Sequence, residues 1–218
     1  MLKSPKVDIS VSNGRGFNTL QYAALRGCTK AVELILSQTE GKQLVNSKKK
    51  DGFTALHVAA VNDHVEVAKL LIQKGKADLE IKNNKGATPL MCAVDEFHVK
   101  VVGVLVEAGS NVNCTDNDGD TCLHNLMIKN TINDLQGSLS GEDDIMRSLR
   151  AVVGGILNTH SESKPDDGFD IAGYLVANGA NLQLKNKKGK TALDLNKNPK
   201  VEKMLLLVQQ QQWQQSLK

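Results

Sequence analysis

GFTALHVAAVNDHVEVAKLLIQKG, from Gly52 to Gly75, contains two helical patterns and the signals that separate them. Thr54 stands two residues after a glycine and just ahead of an apolar run. Its hydroxyl can accept a hydrogen bond from a free amide of the first helical turn, so it reads as an N-cap. Leu56 then points inward, and Ala59 and Ala60 are small enough to let another helix pack closely. A second pattern starts at His64, with Val65, Ala68, Leu71 and Ile72 on one face at helical spacing. Gly75 is expected to terminate it, where a left-handed residue is usual. Neither helix can bury its apolar face alone, so the stretch requires similar units stacked beside it.

Those units are present. GFNTLQYAALRG begins at Gly16, GATPLMCAVDEF at Gly86, GDTCLHNLMIKN at Gly119 and a weaker GKTALDLNKN at Gly189. The five glycines are 36, 34, 33 and 70 residues apart, one period of about 33 with small insertions early and a large one late. Asn18, Thr88, Thr121 and Thr191 take the place of Thr54, and Pro89 sits at a first helical position, where its missing N–H costs nothing. Leu20, Leu90, Leu123 and Leu193 repeat the inward Leu56. In unit three the second helix is HVKVVGVLVEAG from His98, with Val99, Val102, Leu105 and Val106 on one face and Gly109 as its stop. Ala77-Asp78-Leu79 and Asn111-Val112-Asn113 then read as short extended pieces leading to a polar turn and the next glycine.

This grammar resembles the ankyrin repeat, T-P-L-H-x-A-A followed by a helix ending in L-L-x-x-G-A. TALHVAA at Thr54 and TPLMCAV at Thr88 carry the resemblance best. It implies an all-α ankyrin-repeat solenoid: helix pairs with short β-hairpin fingers, about five repeats, and a long insertion in the fourth. The expected boundaries are an irregular segment 1–12, an ankyrin domain 13–208 and a Gln-rich tail 209–218. The repeats fall at about 13–48, 49–82, 83–115, 116–185 and 186–208, with the insertion at 130–170. Unit one departs at Asn18-Thr19-Leu20-Gln21, unit four has Leu126 and Met127 in place of two Ala, and unit five loses the pattern after Leu195.

A narrower resemblance is to the later ankyrin repeats of the mind bomb family of RING-type E3 ubiquitin ligases. NGRGFNTLQYAALRG, DGFTALHVAAVNDHVEVAKLL, DNDGDTCLH and LVANGANLQLKNKKGKTALDL carry it, together with a long insertion in the penultimate repeat. In that family, modules before the repeats recognise Notch-ligand tails, and RING fingers after them recruit a ubiquitin-conjugating enzyme. A RING needs about eight Cys/His ligands in C-x-x-C pairs, and this chain has no such pair. The resemblance therefore implies a non-catalytic portion of such a ligase or a shortened relative, in the cytoplasm.

Taking Gly179 as the counterpart of Gly109 leaves about 37 extra residues between the helices of unit four. Within them, Glu142 to Asn158 reads as a helix, with Ile145, Leu149, Val152, Val153 and Ile156 on one side. Thr159 to Gly168 reads as a loop. Two readings stay open, a surface excursion with one helix packed back on the array or a docking or regulatory element. Asn198-Pro199 breaks the first helix of unit five, and Val201 to Val208 can form a final helix. The tail QQQQWQQSLK is expected to fray, with Trp213 outside the core. Unit one lacks an obvious polar cap, which points to a fragment of a longer array.

Composition agrees with a soluble, ordered chain: 218 residues, 40% apolar and 23% charged, net charge +3. The longest apolar runs, Val101 to Val106 and Met204 to Val208, fall far short of the roughly 20 residues of a membrane span. MLKSPKVDIS has no apolar signal-peptide region. Lys far outnumbers Arg, and only 3% of residues are aromatic, so specific nucleic-acid binding is not expected.

No catalytic constellation is visible: no G-x-S-x-G, no phosphate loop and no H-E-x-x-H. His57 and His124 occupy the motif's histidine position, whose usual role is hydrogen bonding within the repeat turn. His64 and His98 likewise read as structural. Cys114, Cys122 and His124 form the nearest metal-like cluster, but the cysteine spacing does not suit zinc. Asp116, Asp118 and Asp120 resemble half a calcium loop, spoiled by Gly119 and a missing later acid. No cofactor or metal is expected.

What remains is the surface. The ankyrin resemblance places the variable, partner-facing positions at the finger tips and at the ends of the first helices. They map to Arg15, Phe17, Leu25 and Arg26 in unit one and to Lys50, Asp51, Phe53, Val61 and Asn62 in unit two. Unit three supplies Asn84, Lys85, Ala87, Asp95 and Glu96, unit four Asn117, Asp118 and Asp120, and unit five Lys187, Lys188 and Lys190. Charge alternates along the array: basic at Lys48 to Lys50, acidic at Asp116 to Asp120, basic at Lys185 to Lys190. Two readings stand: solvated charges with Phe17 and Phe53 lying on neighbouring fingers, or a surface with two aromatic anchors and charges that set register. The expected function is a protein–protein interaction scaffold, monomeric, with a protein partner whose identity the sequence does not name.

Overall fold

The computed structural model describes residues 12–134, 167–196 and 199–216 and contains eleven helices among them. Unit one contributes α1 (Thr19–Leu25), α2 (Thr29–Leu36) and a short extra α3 (Thr39–Gln43). Unit two contributes α4 (Ala55–Val61) and α5 (Val65–Gln73), and unit three α6 (Pro89–Asp95) and α7 (Val99–Glu107). Unit four contributes α8 (Cys122–Asp134) and α9 (Asp167–Ala177), and unit five α10 (Ala192–Leu195) and α11 (Pro199–Ser216). The extra α3 explains the longer spacing between the first two glycines.

The first helix of each pair packs on the next first helix, in the order α1, α4, α6, α8, α10. The second helices form a parallel layer, α2, α5, α7, α9, α11. One apolar core runs between the two layers and through all five units. Leu20, Leu56, Leu90 and Leu123 are fully buried, each contributing about 1.5–3 kcal/mol of burial. Leu193, in the last unit, is only partly covered.

The first helices start as the sequence predicts. Asn18, Thr54, Thr88 and Thr191 are extended N-caps whose side chains accept from the third helical amide. In units one, two and five the third helical residue (Gln21, His57, Asp194) reaches back to the N-cap amide, closing a capping box. Thr121 and His124 make the same contact in unit four.

Several expectations are corrected. Gly75 does not take the left-handed conformation; Lys76 does, with φ 56°. Gly75 is needed for space instead, because a Cβ there would lie 2.6 Å from the Leu71 carbonyl oxygen. Gly109 is left-handed, with φ 95°. The expected β-hairpins reduce, among the described residues, to two isolated antiparallel bridges, Thr115 with Thr121 and Lys185 with Thr191. Leu79 and Val112 lie in turns, not extended segments. The final helix continues through most of the Gln-rich tail to Ser216 and includes Trp213, because Gln is a good helix former and nothing breaks the run. Asp167 and Gly168 begin α9 instead of ending a loop, and α8 runs to Asp134, past the expected start of the insertion. The expected helix at 142–158 and most of the loop at 159–168 lie outside the described residues, as do residues 1–11.

The long α8 has a specific contact. In units two and three the histidine that starts the second helix donates from Nε2 to the last carbonyl of the preceding unit's first helix. His64 reaches Leu25 at 3.2 Å, and His98 reaches Val61 at 3.0 Å. The third such carbonyl belongs to Asp95. Here the insertion separates α8 from α9, and the ammonium of Lys129, on the added length of α8, donates to Asp95 instead.

Candidate functional site

The fingers are built from one turn used repeatedly. The side-chain oxygens of Asn13, Asn83, Asp116 and Asn186 each accept the amides two and four residues ahead, at 2.9–3.1 Å. The glycine that follows is left-handed in every unit. At Gly52 and Gly86 a Cβ would lie 2.6 and 2.5 Å from the backbone nitrogens of Asn84 and Asn117 in the next finger. That close approach is occupied by hydrogen bonds. Asn84 N donates to Asp51 O (3.0 Å), Asn117 N to Lys85 O (3.1 Å) and Lys187 N to Asp118 O (3.0 Å). Asn84 and Asn117 side-chain amides add bonds to Lys50 O and Asn84 O, both at 2.9 Å. The tips of units two to five therefore form one continuous ribbon.

A second ladder lies beneath it. Gln21 donates from Nε2 to Ser47 O (2.8 Å) and Phe53 O (3.2 Å), His57 to Ala87 O (3.1 Å) and His124 to Lys190 O (2.9 Å). A carbonyl only accepts, so Nε2 carries the proton and Nδ1 accepts from the Thr N-cap. The expected turn role is confirmed and extended, since each histidine also ties its unit to the next finger. Both nitrogens of His57 and of His124 are thereby used. Burial pushes His57 down to about 4. Unit three has Met91 at this position and lacks the bond.

The residues singled out from sequence divide by what their side chains do. Arg15, Lys50, Lys85, Glu96, Asp118, Lys188 and Lys190 are exposed, with no side-chain hydrogen bond or ion pair among the described residues, and so is Arg26 at the end of α1. Leu25, Val61 and Ala87 pack against the core. Asn62 turns back onto Val58 O at 2.8 Å. Asn84, Asn117 and Lys187 bind neighbouring fingers, the Lys187 ammonium reaching Asn117 O. Asp120 accepts from Asn186 at 2.7 Å. Asp95 is partly buried; burial raises its carboxyl above the usual range while Lys129 and Asn125 pull it back.

Phe17 and Phe53 are half-buried and lie close to one cation. The Lys49 ammonium is 4.5 Å from the Phe17 ring centroid and 5.8 Å from that of Phe53. Lys49 stands where the other fingers carry their Asn or Asp. It pairs with Asp51 at 2.5 Å, and Asp51 supplies the missing turn bond to Phe53 N at 3.2 Å. Against the effect of burial, these contacts hold the Asp51 carboxyl below its usual range. Comparing Lys49 with Asn13, Asn83 and Asn186 in register marks it out in the sequence, but its double ring contact needs the fold.

The metal-like groups are built differently from ligand sites. His124 has no free nitrogen for a metal. Cys114 and Cys122 are buried and flank the Thr115–Thr121 bridge; the Cys122 thiol hydrogen bonds to Cys114 and lowers its partner while its own thiol is raised. The Asp116, Asp118 and Asp120 oxygens lie within 4.8 Å of one another. One Asp116 oxygen caps the turn and one Asp120 oxygen holds Asn186, which are structural uses. Among the described residues no helix is long and apolar enough to cross a membrane.

Comparison with known proteins follows the same line. The model of "Ankyrin repeats (3 copies)" matches residues 1–83 and 20–116. The chain is 39% identical over 178 residues to the E3 ubiquitin-protein ligase mind-bomb of Drosophila melanogaster, covering 81% of this chain and 14% of that protein. It is 38% identical over 91 residues to the SMC5-SMC6 complex localization factor protein 1 of Bos taurus, covering 41% and 8%. It is 25% identical to the putative palmitoyltransferase ZDHHC13 of Danio rerio, covering 80% and 31%. The chain thus spans less than a third of the length of each of these relatives.

Proposed function

The chain belongs to the ankyrin-repeat family, and on that premise we propose that it works by binding protein and not by catalysis. The observation that carries this reading is the division of labour in the finger ribbon. Backbone groups and Asn side chains hold the tips of units two to five together, while Lys50, Lys85, Asp118 and Lys188 on those tips remain exposed, with no ion pair among the described residues. Charged groups in a fixed row, with their backbone already satisfied, give a partner register and orientation. The four histidines among the described residues, His57, His64, His98 and His124, each bond a backbone carbonyl of a neighbouring unit.

The finer reading is an ankyrin portion, or a shortened relative, of a mind bomb-like E3 ubiquitin ligase acting in ubiquitination and Notch-ligand signalling. Support comes from the 39% identity across 81% of this chain and from the long insertion in the penultimate repeat. The scaffold would space or dock other modules, as a cytoplasmic monomer. A free-standing regulator that masks a partner's surface is the second reading. It is favoured by the similarity of the same repeats to proteins with unrelated names, a complex localization factor and a putative palmitoyltransferase.

Affinity purification of the tagged chain from cells, followed by mass spectrometry, tests the scaffold. Protein partners lost with an Arg15→Glu, Lys85→Glu, Asp118→Lys triple variant support it. Recovery of ligase components favours the first reading, and recovery of a single stoichiometric partner the second. Ubiquitin transfer by the purified chain with a conjugating enzyme alone overturns the non-catalytic reading.

A further inference from the structure

We propose that Cys114 and Cys122 are a paired oxidation site, which a hydroperoxide converts into a reversible disulfide that clips the neck of the fourth finger. The proposal goes beyond the protein-binding reading and does not depend on it.

The backbone sets the pairing. Thr115 and Thr121 form an antiparallel bridge, so Cys114 and Cys122, one step further from the tip, stand opposite each other with their side chains on one face. Opposed residues of an antiparallel pair have Cα atoms about 4.5–5.5 Å apart, inside the range of about 4.4–6.8 Å that a disulfide spans. The two side chains already meet, the Cys122 thiol donating to the Cys114 sulfur. Both cysteines are free, and the loop between them carries the acidic tip, Asp116, Asp118 and Asp120. The finger has no structural need of sulfur here. In unit five the corresponding bridge, Lys185 with Thr191, is flanked at the same positions by Leu184 and Ala192.

The surroundings divide the two roles. Cys114 keeps a residual exposure of 6%, whereas Cys122 has none. Thr88, the N-cap of α6, places its hydroxyl oxygen 3.3 Å from the Cys114 sulfur. Donation from Cys122 first, and then from Thr88, holds the Cys114 thiol below its usual range against the effect of burial, while the bond to Cys114 and burial hold Cys122 up. The thiolate is the nucleophile, so Cys114 attacks first. Its sulfur takes one oxygen of hydrogen peroxide, the O–O bond breaks, and the other oxygen leaves as water with the Cys114 proton, giving a sulfenic acid. The Cys122 sulfur then attacks that of Cys114. The S–O bond breaks, and the hydroxyl leaves as a second water with the Cys122 proton. The two thiols together lose two electrons and two protons, and the peroxide is reduced to two waters. Only Cys114 meets the oxidant; the bridge delivers Cys122, which needs no access to solvent.

The test uses the full chain carrying Cys28→Ser, a change at an exposed position that prevents disulfides between molecules there. Circular dichroism checks its fold. The reduced chain is treated with hydrogen peroxide, and the remaining thiols are alkylated in denaturant. Cys114 and Cys122 share the tryptic peptide from Val101 to Lys129. That peptide becomes about 2 Da lighter, takes up no alkyl group and regains both thiols with dithiothreitol. Cleavage at the aspartates between the cysteines leaves its halves joined. The oxidised chain melts about 5 °C higher than the reduced one. With Cys122→Ser added, Cys114 stops at the sulfenic acid and is trapped by dimedone. Alkylation of both cysteines after peroxide, pairing of either with Cys92, or a sulfinic acid on Cys114 beside a free Cys122 overturns the site. A melting temperature that stays level or falls overturns the clip. Partner recovery is a separate measurement, so the scaffold reading stands or falls apart from this one.

Discussion

The ammonium of Lys129 donates to the backbone carbonyl of Asp95, the place that His64 and His98 fill in the two preceding junctions. A histidine at the start of a second helix cannot serve the junction between units three and four, because the insertion separates that helix from α8. A longer first helix with a lysine on it supplies the donor. The same ammonium lies 5.5 Å from the Phe97 ring centroid.

Lys129→Met, which keeps the apolar stem and removes the charge, is expected to destabilise the chain by about 2 kcal/mol. The partly buried Asp95 carboxyl also loses its nearest cation. The urea midpoint measures the loss; an unchanged midpoint means the contact contributes nothing.

Protonation of His57 should set an acid limit on stability. Burial lowers it to about 4 in the folded chain, against about 6.5 when unfolded. The unfolded chain binds the extra proton first, so this contribution is complete above about pH 6.5 and is lost as pH falls toward 4. The change amounts to about 3 kcal/mol. Gln21 fills the same position in unit one without titrating, so His57→Gln should keep the contact to Ala87 and flatten the stability profile between those pH values. A profile as steep as the unsubstituted chain's would refute this assignment.

Three left-handed glycines should respond unequally to alanine. Gly109→Ala meets only the backbone preference, since nothing lies within 4 Å of the new Cβ, and should cost about 1–2 kcal/mol. Gly52→Ala and Gly86→Ala also collide with the next finger's backbone and should cost more than about 3 kcal/mol each. Thermal unfolding of the three variants gives the ranking, and equal losses would show that the fingers can part without penalty.

The repeats were legible because their signals are local. Asn18, Thr54, Thr88 and Thr191 cap within three residues, and Leu20, Leu56, Leu90 and Leu123 are buried by helical period alone. Contacts between units were not legible. Asn84 and Asn117 read as tip residues open to a partner, yet their amides are held by the finger before them. Phe17 and Phe53 read as anchors, but the cation between them comes from Lys49, a residue outside the variable positions. The α8 extension and the helical tail escaped because neither carries a repeat motif.

The long insertion bears on the order of assembly. Ladder bonds among the first three units span 26 to 34 residues, as from Gln21 to Ser47 and from Asn84 to Lys50. From unit four to unit five they span 66 to 70, as from His124 to Lys190 and from Lys187 to Asn117. Doubling the closed length adds only about 0.6 kcal/mol to the entropy of closure, but it delays the contact until more of the chain has been searched. Nucleation therefore falls to the amino-terminal half, where neighbours zip in turn, and the terminal pair joins late. Under heat or pulling force the same seam should be the first to part, so the carboxy-terminal unit can detach while the rest stays folded.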